Sequence, residues 1–329
     1  MAAPVAMAEL WRGGMLESTH MGHAVICNAA GEIEEAWGDP EAIIFPRSSC
    51  KMLQALPMME SGAGAGLSQR QVALSCASHQ GAAIHTDLVA QWLADLGLSE
   101  ADLRCGSHVP YDTDIRDKLI LAHESPCQIH NNCSGKHSGF LTLNKHLGGH
   151  ADYVEVDHPV QKAVKAAFEE VTGETSPGFG IDGCSAPNFA TSVHGLARAM
   201  AYFASASEGG STRSRAAFAL TRAMMAHPDL VAGEGRACTE LMRAMGGRVA
   251  IKTGAEAVFV AILPELKKGI ALKITDGGTR GSEAAIAALL VKLGVLEADH
   301  PATRKRLNAP ITNCRGLVVG EVRAALGFA

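Results

Sequence analysis

The stretch RVAIKTGAEAVFVAILPELKKGIALKIT, residues 248–275, contains two runs of apolar and β-branched residues. These runs, Arg248–Leu263 and Gly269–Thr275, have the composition of strands, and Pro264–Lys268 between them is typical of a turn. We therefore predict a β-hairpin in the C-terminal part of the chain. A helix over about 281–295 and a final strand over Gly316–Val322 follow it.

The N-terminal part of the chain also predicts strands. His23–Asn28 and Glu32–Trp37 flank a turn of Ala-Ala-Gly, and a short strand over Glu41–Phe45 ends at Pro46. From Ser48 to Met59 the apolar spacing becomes helical. Between these ends, helical spacing recurs near 69–77, 85–96, 112–122, 134–146, 158–172, 188–205, 212–226 and 236–245.

Strands at both ends of the chain and helices between them predict the fold class. We expect an α/β (α+β) fold with an antiparallel sheet lobe built from N- and C-terminal segments, residues 1–66 and 246–329. Residues 67–245 are expected to form an inserted, mainly helical lobe. The chain is thus interpreted as a single two-lobed unit.

Composition excludes several classes of function. Of 329 residues, 47% are hydrophobic and 19% charged, which is enough to bury a core and rules out global disorder. The net charge is −5 without a Lys/Arg-rich block, so neither nucleic acid nor a membrane surface is the expected partner.

The cysteines and the hydropathy pattern indicate a cytoplasmic protein. Nine cysteines are scattered without CxxC pairing, which is typical of free thiols in a reducing compartment. The chain does not open on a secretory-type segment, and it has no apolar run of 18 residues.

The first candidate for chemistry is Ser48-Ser49-Cys50-Lys51. Residues three apart share a helix face, so the Ser48 hydroxyl and the Lys51 amine can meet. A desolvated, neutral lysine can take the serine proton and produce a nucleophile. The SxxK pattern is expected about 0.7 times by chance, so a capping serine beside a solvated lysine is an alternative.

The second candidate is Lys252-Thr253-Gly254, within the predicted C-terminal strand. About 0.06 chance matches are expected, which makes this motif the more specific of the two. SxxK on a helix together with KTG on a strand is the pairing found in serine β-lactamases and penicillin-binding proteins. Gly254 allows close approach of a ligand to the strand, although an ordinary edge strand gives the same pattern.

Two further clusters contain nucleophiles. Ala77-Ser78-His79-Gln80 closes a short helix and supplies a second hydroxyl, although the pattern alone favours a polar cluster that simply ends the helix. In the second cluster, Cys133 lies at the start of a helix, whose dipole is expected to lower its pKa. Cys133 and Cys184, with one nitrogen donor, would suit a tetrahedral zinc ion, but the separation of the two cysteines matches no short zinc motif, and two buried free thiols are the alternative.

Five stretches together resemble the Rhizobium-type (class 3) L-asparaginases. They are FPRSSCK (45–51), CASHQ (76–80), HNNCSGKHSG (130–139), GIDGCSAPN (180–188) and AIKTGAE (250–256). The resemblance implies a fold similar to serine β-lactamases and glutaminases, a homodimer, and hydrolysis of L-asparagine to L-aspartate and ammonia.

The resemblance also implies roles for individual residues. Two catalytic Ser–Lys tandems correspond to Ser48 with Lys51 and Ser78 with Lys252. A zinc ion is implied at Cys133, Lys136 and Cys184, and Arg47, His137 and Asp182 are implied to hold the substrate or order the metal site. Zn²⁺ in this arrangement need not be the catalyst.

The expected chemistry is acyl transfer, with Lys51 activating Ser48 and Ser78 protonating the ammonia that leaves. Other readings of the same motifs stay open. A glutaminase or a β-lactam-recognising serine hydrolase would share SxxK and KTG, a sensor would form a stable acyl adduct, and an inactive zinc-binding module would keep the scaffold.

Overall fold

An antiparallel sheet of eight strands is the main feature of the computed structural model, which describes residues 2–329. Its strands come from the two ends of the chain: β1 (Val5–Arg12), β2 (Met15–Cys27), β3 (Ile33–Trp37), β8 (Ala250–Gly254), β9 (Val258–Leu263), β10 (Lys268–Ile274), β11 (Ala309–Thr312) and β12 (Val318–Ala324). The order across the sheet is β11-β12-β1-β2-β10-β9-β8, and β3 also pairs with β2. The predicted sheet of N- and C-terminal segments is confirmed.

The centre of this sheet is buried on both faces. Every residue of β9 is buried, because its sequence VFVAIL is apolar on both sides of the strand. Two helices, α7 (Val193–Ser205) and α11 (Thr279–Lys292), contact β9 and β10. Gly269 permits the close approach of α7, since a side-chain carbon there would lie 2.1 Å from the Ala201 nitrogen.

Shorter elements complete this sheet-containing unit. They are β4 (Ile43–Ile44), which pairs with β7 (Thr191–Ser192), and the helices α10 (Ala237–Ala244) and α12 (Pro301–Arg304). The unit comprises the chain up to Ser49, Thr191–Ser205 and Gly235–Ala329. We call it the sheet unit.

The second unit, Cys50–Ala190 and Ala206–Glu234, is mainly helical. We call it the helical unit, and its elements are α1 (Lys51–Glu60), α2 (Gln69–Ser75), α3 (Ala83–Asp95), α4 (Thr113–Leu121), α5 (Ser134–Leu147), α6 (Pro159–Thr172), β5 (Phe179–Ile181), β6 (Pro187–Phe189), α8 (Thr212–Ala226) and α9 (Pro228–Val231). The helix α5 contacts α1, α2, α3 and α6, and its residues from Ser134 to Asn144 are all buried. The polar side chains on α5 therefore lie within the core of this unit.

Several predicted elements differ from those in the structure. The strand predicted from His23 is the second half of β2, and β1 was not predicted because Val5–Arg12 (VAMAELWR) mixes strand formers with Ala, Glu and Leu. Pairing with β2 and β12 makes this segment a strand. The helix predicted over 188–205 begins only at Val193, after two short strands.

The division into units also differs from the expected boundaries at 66/67 and 245/246. The helix α1 contacts α5, α6 and α8 and belongs to the helical unit, whereas α7 contacts β2, β9 and β10 and belongs to the sheet unit. Sequence patterns identify a helix but not the element on which it packs. Among residues 2–329 no helix combines the length and apolar character needed to cross a membrane.

Candidate active site

Lys51 is the first residue of α1, and only 1% of its surface is exposed. Its Nζ atom donates hydrogen bonds to the Ala77 carbonyl oxygen at 2.5 Å, to Ser78 Oγ at 3.0 Å and to Cys133 Sγ at 3.1 Å. These three acceptors match the three N–H groups of an ammonium. A neutral amine would keep two of these bonds and accept the Ser78 proton on its lone pair. The structure thus brings together two predicted catalytic residues in a geometry suited to proton transfer.

The loop that carries Ser78 is held against the start of α5. The His79 backbone N–H donates to the Asn132 carbonyl oxygen at 3.1 Å. The His79 ring accepts from the Gly81 N–H at Nδ1 (3.1 Å), so its Nε2–H donates to Ser134 Oγ (3.0 Å). Burial lowers the pKa of His79 well below its usual value, which keeps this ring neutral. His79 therefore links the CASHQ and HNNCSGKHSG segments.

The three predicted metal-site residues lie together in the helical unit. Lys136 Nζ lies 3.0 Å from Cys184 Sγ, and Cys133 Sγ lies 3.1 Å from Asn132 Oδ1. The Cys133 hydrogen bond lowers the pKa of Cys184 well below its usual value; burial opposes this and Lys136 reinforces it. Of these two thiols, Cys184 therefore loses its proton more readily.

The predicted lowering of the Cys133 pKa is wrong. Cys133 does directly precede α5, as predicted, but the hydrogen bond to Cys184 and then burial raise its pKa well above the usual value. At this position these contacts outweigh the helix dipole. Burial alone would lower the pKa of Lys136, yet Cys184 and Cys133 raise it overall, so Lys136 stays an ammonium beside the Cys184 sulfur.

His137 and Asp182 lie beside this group. His137 is fully buried, and its Nδ1 lies 2.9 Å from the Tyr153 hydroxyl oxygen. Burial lowers the pKa of His137 to about 4, although the Cys184 side chain partly opposes this. Asp182 is half-buried, accepts the Gly183 N–H at Oδ1 (2.8 Å), and its charge contributes to the raised pKa of Lys136.

The sheet unit contains the remaining predicted residues, Arg47, Ser48 and Lys252. Ser48 is half-buried in the 3₁₀ turn Arg47–Cys50, which runs directly into α1. Lys252 on β8 is fully buried, and its Nζ donates to the Thr253 carbonyl oxygen at 2.8 Å.

Gly254 permits a close approach to its strand, as predicted, but the segment that approaches it is the turn at Pro46–Ser49. A side-chain carbon at residue 254 would lie 2.6 Å from the Pro46 carbonyl oxygen and 3.1 Å from the Ser49 nitrogen. The glycine therefore lets the KTG strand pack against the turn that contains Ser48, and this neighbour is part of the chain itself.

Within residues 2–329, four of the eight non-glycine residues with a positive φ lie in or beside the motif stretches, and the other four lie elsewhere. Arg47 (φ 54°), Ser185 (φ 68°), Glu256 (φ 58°) and Ala257 (φ 56°) have left-handed backbone conformations without being glycine. Each lies within or next to one of the five motif stretches. Such strain persists where packing enforces it and clusters at functional sites.

The pairing of catalytic residues differs in one respect from the sequence-based expectation. Each predicted tandem takes one member from each unit, and both tandems stay predictions. Within the helical unit Ser78 contacts Lys51, which lies 27 residues earlier in the chain. His79 and Tyr153 contact predicted site residues, but the sequence analysis assigned them no role, because no spacing pattern connects them to the site.

The residues that the structure describes were compared with metal sites built from His, Cys, Asp and Glu side chains. Within residues 2–329, no group of three or more His, Cys, Asp or Glu side chains is arranged to hold a metal ion. The predicted zinc ligands are two cysteines and a lysine, and lysine is not one of these four residue types.

Comparison with known proteins assigns a family. Residues 8–324 match the model of the family described as L-asparaginase II, which is almost the whole chain. No curated protein matches the chain.

Solved structures match at low identity. The crystal structure of the protein called Mglu shares 12% identity with a TM-score of 0.46, and the match covers 84% of this chain and 68% of Mglu. In a second Mglu structure, determined in 4.3 M NaCl, 62% of that chain is covered. A putative β-lactamase from Bacteroides dorei shares 12% identity with a TM-score of 0.44, covering 82% of this chain and 93% of its own.

Proposed function

This chain belongs to the L-asparaginase II family, and we propose that it hydrolyses the side-chain amide of L-asparagine to L-aspartate and ammonia. Within that family, its five motif stretches support the Rhizobium-type (class 3) group. The observation that carries the proposal is the buried Lys51 amine, 3.0 Å from the Ser78 hydroxyl. This contact lies at the end of a motif that also contains Ser48.

In the proposed acylation step, Ser48 Oγ attacks the side-chain amide carbon of asparagine. Neutral Lys51, three residues further along the helical run, takes the hydroxyl proton. The carbon–nitrogen bond then breaks, and ammonia leaves with a proton delivered through Ser78. Because Ser78 contacts the Lys51 amine, it can pass on the proton that Lys51 received, so acid and base roles alternate on one lysine.

Water completes the reaction by hydrolysing the aspartyl ester and releasing L-aspartate. Backbone N–H groups of the Arg47–Cys50 turn and of the strand after Lys252 are proposed to stabilise the oxyanion in both steps. Losing one such donor typically costs about 3–4 kcal/mol of transition-state stabilisation. Buried Lys252 adds a positive charge beside this strand.

The substrate has a carboxylate and an ammonium group at its α-carbon, and three residues match these charges. Arg47 and His137 provide donors for the carboxylate, while Asp182 provides an acceptor for the ammonium. This assignment follows the charges of the residues and their positions in the quoted motifs.

The donor set formed by Cys133, Lys136 and Cys184 fits zinc. Two sulfurs and one nitrogen are the ligand types that zinc prefers, and both thiols and the amine are buried together. Binding requires these residues to lose protons, so Lys136 and Cys133 would be deprotonated on loading. A zinc ion held there would neutralise the thiolates and orient the charged end of the substrate. We also propose a cytoplasmic homodimer, which the family resemblance and the free thiols support.

Ammonia release tests the proposed activity. We expect release from L-asparagine to exceed that from L-glutamine and to fall by at least about 10³-fold in Ser48→Ala. The control is Ser49→Ala, because the Ser49 hydroxyl donates to the Pro46 carbonyl oxygen at 2.6 Å and is not assigned to the reaction.

Three outcomes of this assay would contradict the proposal. Preference for L-glutamine would indicate a glutaminase, and turnover of a chromogenic β-lactam without ammonia release from asparagine would indicate a β-lactam hydrolase. A stable acyl adduct without turnover, seen by mass spectrometry, would indicate a sensor.

A further inference from the structure

The turn that follows the KTG strand has a strained backbone. Glu256 (φ 58°) and Ala257 (φ 56°) are consecutive residues in the left-handed region, and neither is a glycine. This conformation is unfavourable for residues that carry a Cβ atom, so neighbouring contacts must enforce it. The strand β8, which leads into the turn, lies at the edge of the sheet, where β9 supports it from one side. The turn therefore needs a further support.

Lys273 on β10 supplies a support for this turn. It lies opposite Val258, the first residue of β9, and its Nζ donates a hydrogen bond to the Glu256 carbonyl oxygen. Burial lowers the pKa of Lys273, and the charges of Glu256 and Asp276 oppose this. The Glu256 side chain also lies against Gly277, where a side-chain carbon would be 2.7 Å from Glu256 Oε2. Glu256 is thus held through its backbone and through its side chain.

The supported turn is continuous with the segment that packs beside Ser48. Gly254 ends β8, and a side-chain carbon there would lie 2.6 Å from the Pro46 carbonyl oxygen. The bond from Lys273 holds the chain two residues later, so the end of the KTG strand is fixed between the Arg47–Cys50 turn and β10. Arg47 adds to the effect of burial on the Lys273 pKa, which indicates that the two cations lie near each other.

We propose that Lys273 is a positioning residue that holds the turn after the KTG strand, so that the backbone N–H groups of this strand stay in place for the oxyanion. The role rests on the proposed hydrolysis, in which the strand after Lys252 stabilises the oxyanion. Lys273 acts through the Glu256 carbonyl group and not on the substrate. It lies outside all five motif stretches.

Steady-state kinetics with L-asparagine test the effect on the reaction. Lys273→Met should lower kcat about 10- to 100-fold and leave KM within about 2-fold of wild type, because displaced oxyanion donors affect the transition state. Lys273→Arg keeps a charged donor and should recover most of kcat. Lys267→Met removes an exposed positive charge from the neighbouring turn and should match wild type. A raised KM with unchanged kcat would mean that Lys273 binds the substrate, contrary to the proposal.

Amide hydrogen exchange of the full chain without substrate tests the support itself. We expect residues 255–258 to exchange about 10-fold faster in Lys273→Met than in wild type, because the turn opens more often without this hydrogen bond. Exchange in Lys273→Arg and Lys267→Met should stay near wild type. If Lys273→Met folds poorly, Lys273→Gln, whose side chain is one atom shorter, carries the same expectations.

A pair of variants at residue 256 isolates the backbone strain. Glu256→Gln removes the charge and keeps the strain, whereas Glu256→Gly removes both, because glycine adopts the left-handed conformation readily. Adding Lys273→Met should accelerate exchange less in the Glu256→Gly background than in the Glu256→Gln background. Equal acceleration in both backgrounds would mean that Lys273 does not offset the strain, and the proposal would be wrong.

Exchange and kinetics together separate failure of this inference from failure of the proposed function. Unchanged exchange in Lys273→Met would overturn the support of the turn, whatever the enzyme hydrolyses. Faster exchange with a normal kcat would remove Lys273 from the reaction. An inactive wild type, combined with faster exchange in Lys273→Met, would reject the proposed substrate and keep the support of the turn.

Discussion

Arg306 in the sheet unit and Lys51 in the helical unit are both buried, but their hydrogen-bond partners are of opposite kinds. Arg306 in the sheet unit is 7% exposed and pairs with the carboxylates of Glu240 and Glu283, with further bonds to backbone carbonyls. Lys51 in the helical unit is 1% exposed, and its acceptors are a carbonyl, a hydroxyl and a thiol. The first arrangement neutralises the charge, whereas the second leaves the amine among groups that can exchange a proton with it.

This difference in partners predicts which buried cation stabilises the fold and which one takes part in the reaction. A cation that is paired with carboxylates is costly to remove, because its partners then remain buried and unpaired. A lysine without a carboxylate in its immediate shell loses little fold stability when the charge is removed, but its proton transfer is lost. We therefore interpret the Arg306 cluster as structural and the Lys51 cluster as catalytic, and three substitutions test this division.

The largest expected effect is on activity, from Lys51→Met. Methionine fills the volume of the lysine without an amine, so ammonia release from L-asparagine should fall about 10²- to 10⁴-fold. The free energy of unfolding should change by no more than about 1–3 kcal/mol, since only the Ala77 carbonyl loses a needed donor. Steady-state kinetics and urea unfolding measure the two quantities. Activity within a few-fold of wild type would remove Lys51 from the reaction.

The matched substitution in the sheet unit is Arg306→Met. It leaves Glu240 and Glu283 without their shared partner, and we expect the free energy of unfolding to fall by about 3 kcal/mol. Glu240 keeps Lys305 at 2.6 Å, which limits the loss. Activity per folded molecule should not change. Arg315→Met, at an exposed position, is the control for loss of one positive charge. A loss of kcat in Arg306→Met without a loss of stability would contradict the structural role assigned to Arg306.

The smallest expected effect is the pH dependence that Glu283 contributes. Burial raises the pKa of Glu283 above its usual value; Glu240 adds to this, and Arg306 and Arg236 oppose it. Because the folded state holds this proton more tightly, the stability it contributes is present below the usual pKa of 4.5 and is lost as pH rises through the folded pKa. Glu283→Gln should lack this loss.

Urea unfolding across that pH range checks the sign. The stability of Glu283→Gln relative to wild type should increase from acid to neutral pH and then level off, with Glu297→Gln as the exposed control. A difference that decreases with pH would mean that Arg306 dominates the environment of Glu283 and that the carboxylate is favoured.

Local patterns in the sequence predicted the elements that carry the motifs. The KTG residues lie on β8, and Lys51 begins α1 directly after the turn that contains Ser48, because apolar periodicity is a local property. Cys133 precedes α5 for the same reason. The family resemblance rested on five short stretches, and the family match over residues 8–324 agrees with it at the level of L-asparaginase II.

Packing overruled these local patterns where distant segments meet. Val5–Arg12 has a mixed composition, yet it is a strand because β2 and β12 pair with it. The expected low pKa of Cys133 followed from its place at a helix start, but the hydrogen bond to Cys184 and burial raise this pKa, and it is the pKa of Cys184 that is lowered. β12 and Cys184 lie far from their partners in the sequence, so no periodicity could identify these contacts, whereas β2 follows β1 directly after Gly13 and Gly14.

By itself, the amino-acid sequence determined the types of element, the motif residues and the family, since these depend on neighbouring residues and on short exact stretches. Only the tertiary structure decided that Lys51 contacts Ser78, that Lys136 lies beside Cys184, and that His137 contacts Tyr153. Proximity and burial fix hydrogen-bond partners and proton positions, and both arise from packing segments that lie tens of residues apart in the chain.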